Sequence, residues 1–155
     1  MSRQELDAFL NKAFSAAQAS GHIFPAHAAC EAALESAWGT SKLAVLCNNL
    51  FGLKAATRGP NPYPLINMPT KEYLHGQWVT QNALWPKYPD WLTAFRERMN
   101  TLNRLPSIYG EALVATSGEE FVREVSKHWS TDPQRAEKVL QIYRAHGNVF
   151  SSQSY

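Results

Sequence analysis

The chain's 155 residues, 45% of them hydrophobic, suffice for one domain with a real core and are too few for two. A net charge of +2 tolerates an anionic partner without demanding one, and no Lys/Arg run is dense enough to argue for nucleic acid. No apolar run reaches membrane-spanning length, so membrane insertion is not expected.

Ser2-Arg3-Gln4-Glu5 has the capping-box pattern. Leu6, Phe9, Leu10, Ala13, Phe14 and Ala17 follow at helical spacing, up to Gly21. A second helix is predicted from Pro25 through the small and apolar run Ala26 to Ala37, with Gly39 just past its end. Thr40 or Ser41 can cap a short helix to about Cys47, and Asn48-Asn49 marks a chain reversal. Residues 55–64, rich in Pro, read as a loop. Thr, Tyr, Trp and Val around His75-Gly76 predict a β-hairpin within 65–80, followed by a second irregular stretch from Gln81 to Pro89.

The remainder reads as helical. Asp90 can cap a helix carrying Trp91, Leu92, Phe95, Met99 and Leu102, which Pro106 interrupts; a shorter helix covers Ile108 to Val114. Ser117-Gly118-Glu119-Glu120 is a second capping box, leading into Phe121, Val122, Val125, His128 and Trp129. Thr131-Asp132-Pro133 predicts a last helix with Pro133 at its first position, Asp132 as a cap, and an end at Gly147. Residues 151–155 read as a loose tail. The architecture is one mostly α domain over residues 1–155, with a small hairpin between helical halves.

The chemistry concentrates at Ala32-Ala33-Leu34-Glu35-Ser36-Ala37-Trp38-Gly39-Thr40-Ser41. Glu35 falls in the last helical turn, where the negative end of the helix dipole disfavours ionisation. The nearby indole of Trp38 would desolvate the carboxyl and act the same way. A carboxyl that keeps its proton near neutral pH can serve as a general acid; the alternative is a surface Glu beside a core Trp. Glu31, one turn earlier on the same face, reads as a solvated side chain. His27 and His128 read as packed or hydrogen-bonded. Cys30 and Cys47 read as buried free thiols, and no His lies at metal-ligand spacing from them.

Two stretches, Ala33-Leu34-Glu35-Ser36-Ala37-Trp38-Gly39-Thr40-Ser41 and Asn48-Asn49-Leu50-Phe51-Gly52-Leu53-Lys54, resemble the signature of bacterial cell-wall glucosaminidases, glycoside hydrolase family 73. Thr70-Lys71-Glu72-Tyr73 with Gly76, and Ser130-Thr131-Asp132-Pro133, are similar to the family's later motifs. The resemblance implies a lysozyme-like helical domain whose β-hairpin walls a substrate groove. It implies hydrolysis of peptidoglycan glycan strands at the β-1,4 bond after N-acetylglucosamine, with no cofactor or metal. Glu35 corresponds to the family's general acid, and Glu72 to its second carboxylate on the hairpin. Trp38, Tyr63, Tyr73, Trp78, Trp85 and Tyr88 are candidates for sugar stacking. Trp129 is a candidate for stacking or core filling, and Asn49 for a groove-lining amide.

The chain departs from the family pattern at several positions. Ala37 stands where Gly is usual, Trp129 where Tyr is frequent, and Arg135 where Tyr usually follows the Asp-Pro step. Trp85-Pro86 replaces an aromatic followed by Arg. Met1-Ser2-Arg3-Gln4-Glu5-Leu6-Asp7 lacks the basic head and apolar run of a secretory signal. The expectation is a monomer made in the bacterial cytoplasm that reaches the wall after holin-type release, as a phage endolysin does. A domain from a larger autolysin, a muramidase or lytic transglycosylase on the same fold, and an inactive glycan-binding module are the alternatives.

Overall fold

The computed structural model describes residues 1–151; the tail beyond Ser151 lies outside the described residues. The elements run α1 (Arg3–Ser20), α2 (Pro25–Glu35), α3 (Lys42–Cys47), β1 (Leu65–Leu74), β2 (Gln77–Pro86), α4 (Trp91–Arg104), α5 (Pro106–Leu113), α6 (Gly118–Trp129), α7 (Arg135–His146) and α8 (Asn148–Ser151). The caps explain several boundaries. Ser2 Oγ accepts from Glu5 N–H and Glu5 accepts from Ser2 N–H, so the first capping box closes at both ends. The second is half made: Ser117 Oγ accepts from Glu120 N–H, but the Glu120 carboxylate accepts from Thr116 instead.

The apolar stripes converge on one core. Phe9, Leu10, Ala13 and Ala17 of α1 meet Ala28, Ala29, Ala32 and Ala33 of α2, and Phe95, Leu102, Phe121, Val122, Val125 and Val139 close it. The small residues of α2 leave it buried on most sides, as expected of the helix that neighbours pack around. Cys30 and Cys47 are both buried and free. Burial pushes both thiols up from their ordinary value.

The hairpin stands off this core. Its turn, His75-Gly76, has φ of 52° and 77°, the pair of positive values that matches strand twist in a two-residue connection. That turn fixes a ladder from Leu74 opposite Gln77 to Leu65 opposite Pro86. The expected irregular stretch after residue 80 is therefore strand through Pro86, because β1 supplies a partner for every residue. Ile66, Met68, Ala83 and Trp85 seat one face on Leu43 and Cys47 of α3. Alternation puts Glu72 on that same inward face, and Tyr73 and Trp78 on the other.

Helix boundaries also differ from expectation: α5 runs Pro106–Leu113 where Ile108 to Val114 is expected, because Pro106 takes the first helical position. α2 ends at Glu35, before the predicted Ala37, and the chain leaves it through three successive positive φ values: Ala37 (50°), Trp38 (58°) and Gly39 (79°). A Cβ on Gly39 would stand 3.0 Å from the Phe9 ring, so close packing adds to the conformational demand. α7 begins at Arg135 and not at Pro133, because Asp132 Oδ1 accepts from Gln134 N–H and closes a turn first.

Candidate active site

The end of α2 delivers Glu35 to an open cleft of about 660 Å³, and the hairpin delivers Glu72 to the same cleft. Phe51, Gly52, Leu53 and Lys54 line it from the loop after α3, Tyr109 from α5, and Trp129, Ser130 and Thr131 from the end of α6. Two further cavities adjoin it. One shares Trp129, Ser130 and Thr131, and the other shares Lys54. The central cleft thus holds two carboxylates from two different elements.

Each carboxylate meets a cation. Lys54 Nζ donates to Glu72 Oε1 at 2.6 Å across the exposed face of the cleft. Arg135 Nε donates to Glu35 Oε1 at 2.8 Å, from a side chain only 1% exposed. Behind Glu35 the charges continue inward. Arg135 Nη2 donates to Glu31 Oε2 at 2.8 Å, and Arg98 bonds both Glu31 oxygens at 3.1 and 2.7 Å. The Arg98 guanidinium lies against both Phe51 and Trp129, 4.6 and 4.2 Å from the ring centres.

The expected solvated Glu31 is instead fully buried and doubly paired. Burial is the largest single influence and pushes its carboxyl up. The two guanidinium groups together outweigh it and hold the carboxyl down to about 2. Burial is likewise the largest influence on Arg135 and acts against its charge; Glu31 and Glu35 overcome it and leave the guanidinium raised.

The other expected site residues separate. Trp129 lines the cleft while packing on Tyr109 and Phe51. Trp38 does not line it: the left-handed turn at residues 37–39 swings the indole against Phe9 and His146, 6.0 and 5.4 Å between ring centres. The apolar neighbour expected for Glu35 is replaced by a guanidinium. Asn49 is buried, with both ends of its amide bonded to the Leu53 backbone, so it builds the cleft wall without lining it. Trp85 is buried under the hairpin, its Nε1–H donating to Met68 O. Tyr88 packs edge-on against Tyr63 and lines the flanking cavity rather than the central cleft. Tyr73 and Trp78 form an exposed cross-strand pair, 5.2 Å between rings, on the face away from Glu72.

Sequence reasoning missed Arg98, Arg135 and Tyr109. Arg98 carried a signal: it stands at core spacing between Phe95 and Leu102, where a charge requires a buried partner. Among the described residues no group of His, Cys, Asp or Glu could hold a metal ion, and no helix is long and apolar enough to cross a membrane.

Comparison with known proteins identifies the architecture. The glucosaminidase family model, described as mannosyl-glycoprotein endo-beta-N-acetylglucosaminidase, matches residues 11–148. The exo-glucosaminidase LytG of Bacillus subtilis is 30% identical over 126 residues, covering 78% of this chain and 43% of that protein. A Lactococcus lactis protein named "Probable N-acetylmuramidase" is 31% identical over 133 residues, covering 81% of this chain and 29% of that protein. The peptidoglycan hydrolase FlgJ of Pseudomonas aeruginosa is 31% identical over 121 residues, covering 74% and 29%. The chain thus spans less than half the length of these relatives.

Among solved structures, the catalytic domain of the autolysin Auto from Listeria monocytogenes superposes with a TM-score of 0.81 at 24% identity, covering 97% of this chain and 89% of that one. A C-terminally truncated glycoside hydrolase domain of Salmonella typhimurium FlgJ gives 0.71 at 25% identity, covering 92% and 98%. A helical domain with one hairpin, a cleft holding two carboxylates, and a family match across nearly the whole chain agree: the chain belongs to the glucosaminidase family, glycoside hydrolase family 73, with its lysozyme-like fold.

Proposed function

We propose that this domain hydrolyses the glycan strands of peptidoglycan at the β-1,4 bond after N-acetylglucosamine, with Glu35 as general acid and Glu72 as the second carboxylate. The observation that carries the reading is the placement of both carboxylates in one open groove, on two different elements. Glu35 gives its proton to the departing glycosidic oxygen. Glu72 steadies positive charge at the sugar ring or activates the incoming water; the substrate's own acetamide can serve as nucleophile, leaving Glu72 to assist. Water adds to the anomeric carbon, and its proton returns the acid to its starting state. Trp129 offers an aromatic face within the groove, and Lys54 pairs with Glu72 at 2.6 Å beside it. The name of FlgJ, a peptidoglycan hydrolase, supports a wall substrate, and that of LytG, an exo-glucosaminidase, supports cleavage at a glucosamine residue. A monomeric phage endolysin, made in the cytoplasm and released to the wall, is the setting we infer.

The Lactococcus name favours a second reading, cleavage on the muramic side. Mass spectrometry of digested peptidoglycan separates the two. Products ending in reducing N-acetylglucosamine support the proposal. Reducing muramic ends indicate a muramidase, anhydro-muramic ends a transglycosylase, and binding without soluble products an inactive module.

A further inference from the structure

We propose that Arg135 is the positioning residue for the proton-donating carboxyl: it holds Glu35 Oε1 so that Oε2 is the oxygen presented to the glycosidic bond. The proposal rests on the assignment of Glu35 as general acid. Its ground is the geometry of one guanidinium. Three of its nitrogens donate to three different acceptors, each at 2.8 Å: Nε to Glu35 Oε1, Nη1 to Ser126 Oγ and Nη2 to Glu31 Oε2. A guanidinium is planar, so fixing two of its corners fixes the direction of the third N–H bond.

Both anchoring corners are rigid. Ser126 is on α6, inside the helix. Glu31 is fully buried and gripped at both oxygens by Arg98, which is itself packed against Phe51 and Trp129. The Nε–H bond of Arg135 is therefore aimed by three helices, α2, α4 and α6, before Glu35 is considered. Among the described residues Oε2 of Glu35 takes no protein hydrogen bond, while the side chain stays 24% exposed at the cleft. A proton on Oε2 leaves Oε1 a carbonyl oxygen, which still accepts from Nε–H, so the grip persists in the state that does chemistry.

The test is turnover of a soluble peptidoglycan fragment by Arg135→Lys and Arg135→Gln, with Glu35→Gln in parallel. Binding-competent protein is counted by calorimetric titration with the same fragment, so that misfolded protein does not enter kcat. Arg135→Lys keeps the buried charge facing Glu31 and loses the fork; it keeps the question answerable if Arg135→Gln does not fold. A carboxyl released from its orientation costs about 10- to 100-fold in kcat, with KM within about twofold of wild type. Wild-type kcat per binding site in Arg135→Lys overturns the proposal, as does a rise in KM with kcat unchanged, which would make Arg135 a binding residue. Near-wild-type turnover in Glu35→Gln would instead overturn the general-acid assignment underneath.

Discussion

Arg135 Nε stands 2.8 Å from Glu35 Oε1, a contact between residues one hundred positions apart in the chain. It ends a line of charge that starts at Arg98 in the core and passes through Glu31. The carboxylate proposed to do the chemistry is the outermost member of a buried ionic cluster, so stability and activity draw on the same residues.

Glu31 is the member on which stability depends most. Deleting one partner of a buried ion pair leaves the others uncompensated and costs about 3–5 kcal/mol. We expect Glu31→Gln to lower the unfolding free energy by about 3 kcal/mol, measured by urea titration; a change under about 1 kcal/mol would contradict the pairing.

Acid should weaken the fold in two overlapping windows. His22 is buried, its Nδ1–H donating to Ile23 O, and burial with the nearby Arg98 pushes it down from 6.5 to about 4. The unfolded chain takes up that proton first, so stability falls as pH drops from about 6.5 to 4. Glu31 is held down from 4.5 to about 2. Its contribution is complete above its ordinary value and is lost as pH falls toward 2. The thermal midpoint should therefore decline from pH 7 to pH 3, and a flat profile over that range would count against both groups.

Ala37 sits at φ 50°, a left-handed conformation that costs a residue with a Cβ about 1–2 kcal/mol. Glycine relieves that strain and gives back part of the gain as unfolded-chain entropy. Ala37→Gly should raise stability by up to about 1 kcal/mol at unchanged turnover, read from the urea midpoint; a loss of stability would mean that the Ala37 methyl packs favourably.

These contrasts show what could be read without coordinates. The stripes of α1 and α6, the Ser caps and the His75-Gly76 turn are local signals, and each stands where its residues placed it. The second half of β2 carries no such signal. Gln81-Asn82-Ala83-Leu84-Trp85-Pro86 has no β-branched residue, and its strand conformation comes from the rungs supplied by β1. Glu35 was legible because one short stretch places it at a helix end. Its guanidinium partner was not, because nothing local links residue 35 to residue 135. Trp38 misled for a related reason: proximity in sequence suggested contact, and three left-handed residues turned the ring away.

The Glu72 assignment predicts a split between turnover and binding. Glu72 is bonded to Lys54, not to a buried group, so the fold should tolerate its loss. Glu72→Gln should reduce kcat by about a hundredfold with little change in fragment affinity, because the charge is used in the transition state. Unchanged turnover with weaker binding would make Glu72 a substrate contact.

The central claim, that Glu35 protonates the leaving oxygen, is tested most directly by the lytic rate of purified Glu35→Gln on cell walls, beside wild-type protein of equal thermal stability. Glutamine keeps the shape and can still accept from Arg135 Nε–H, but it has no proton to give. The account predicts a loss of about 10²–10⁴-fold. Lysis at close to the wild-type rate would contradict it.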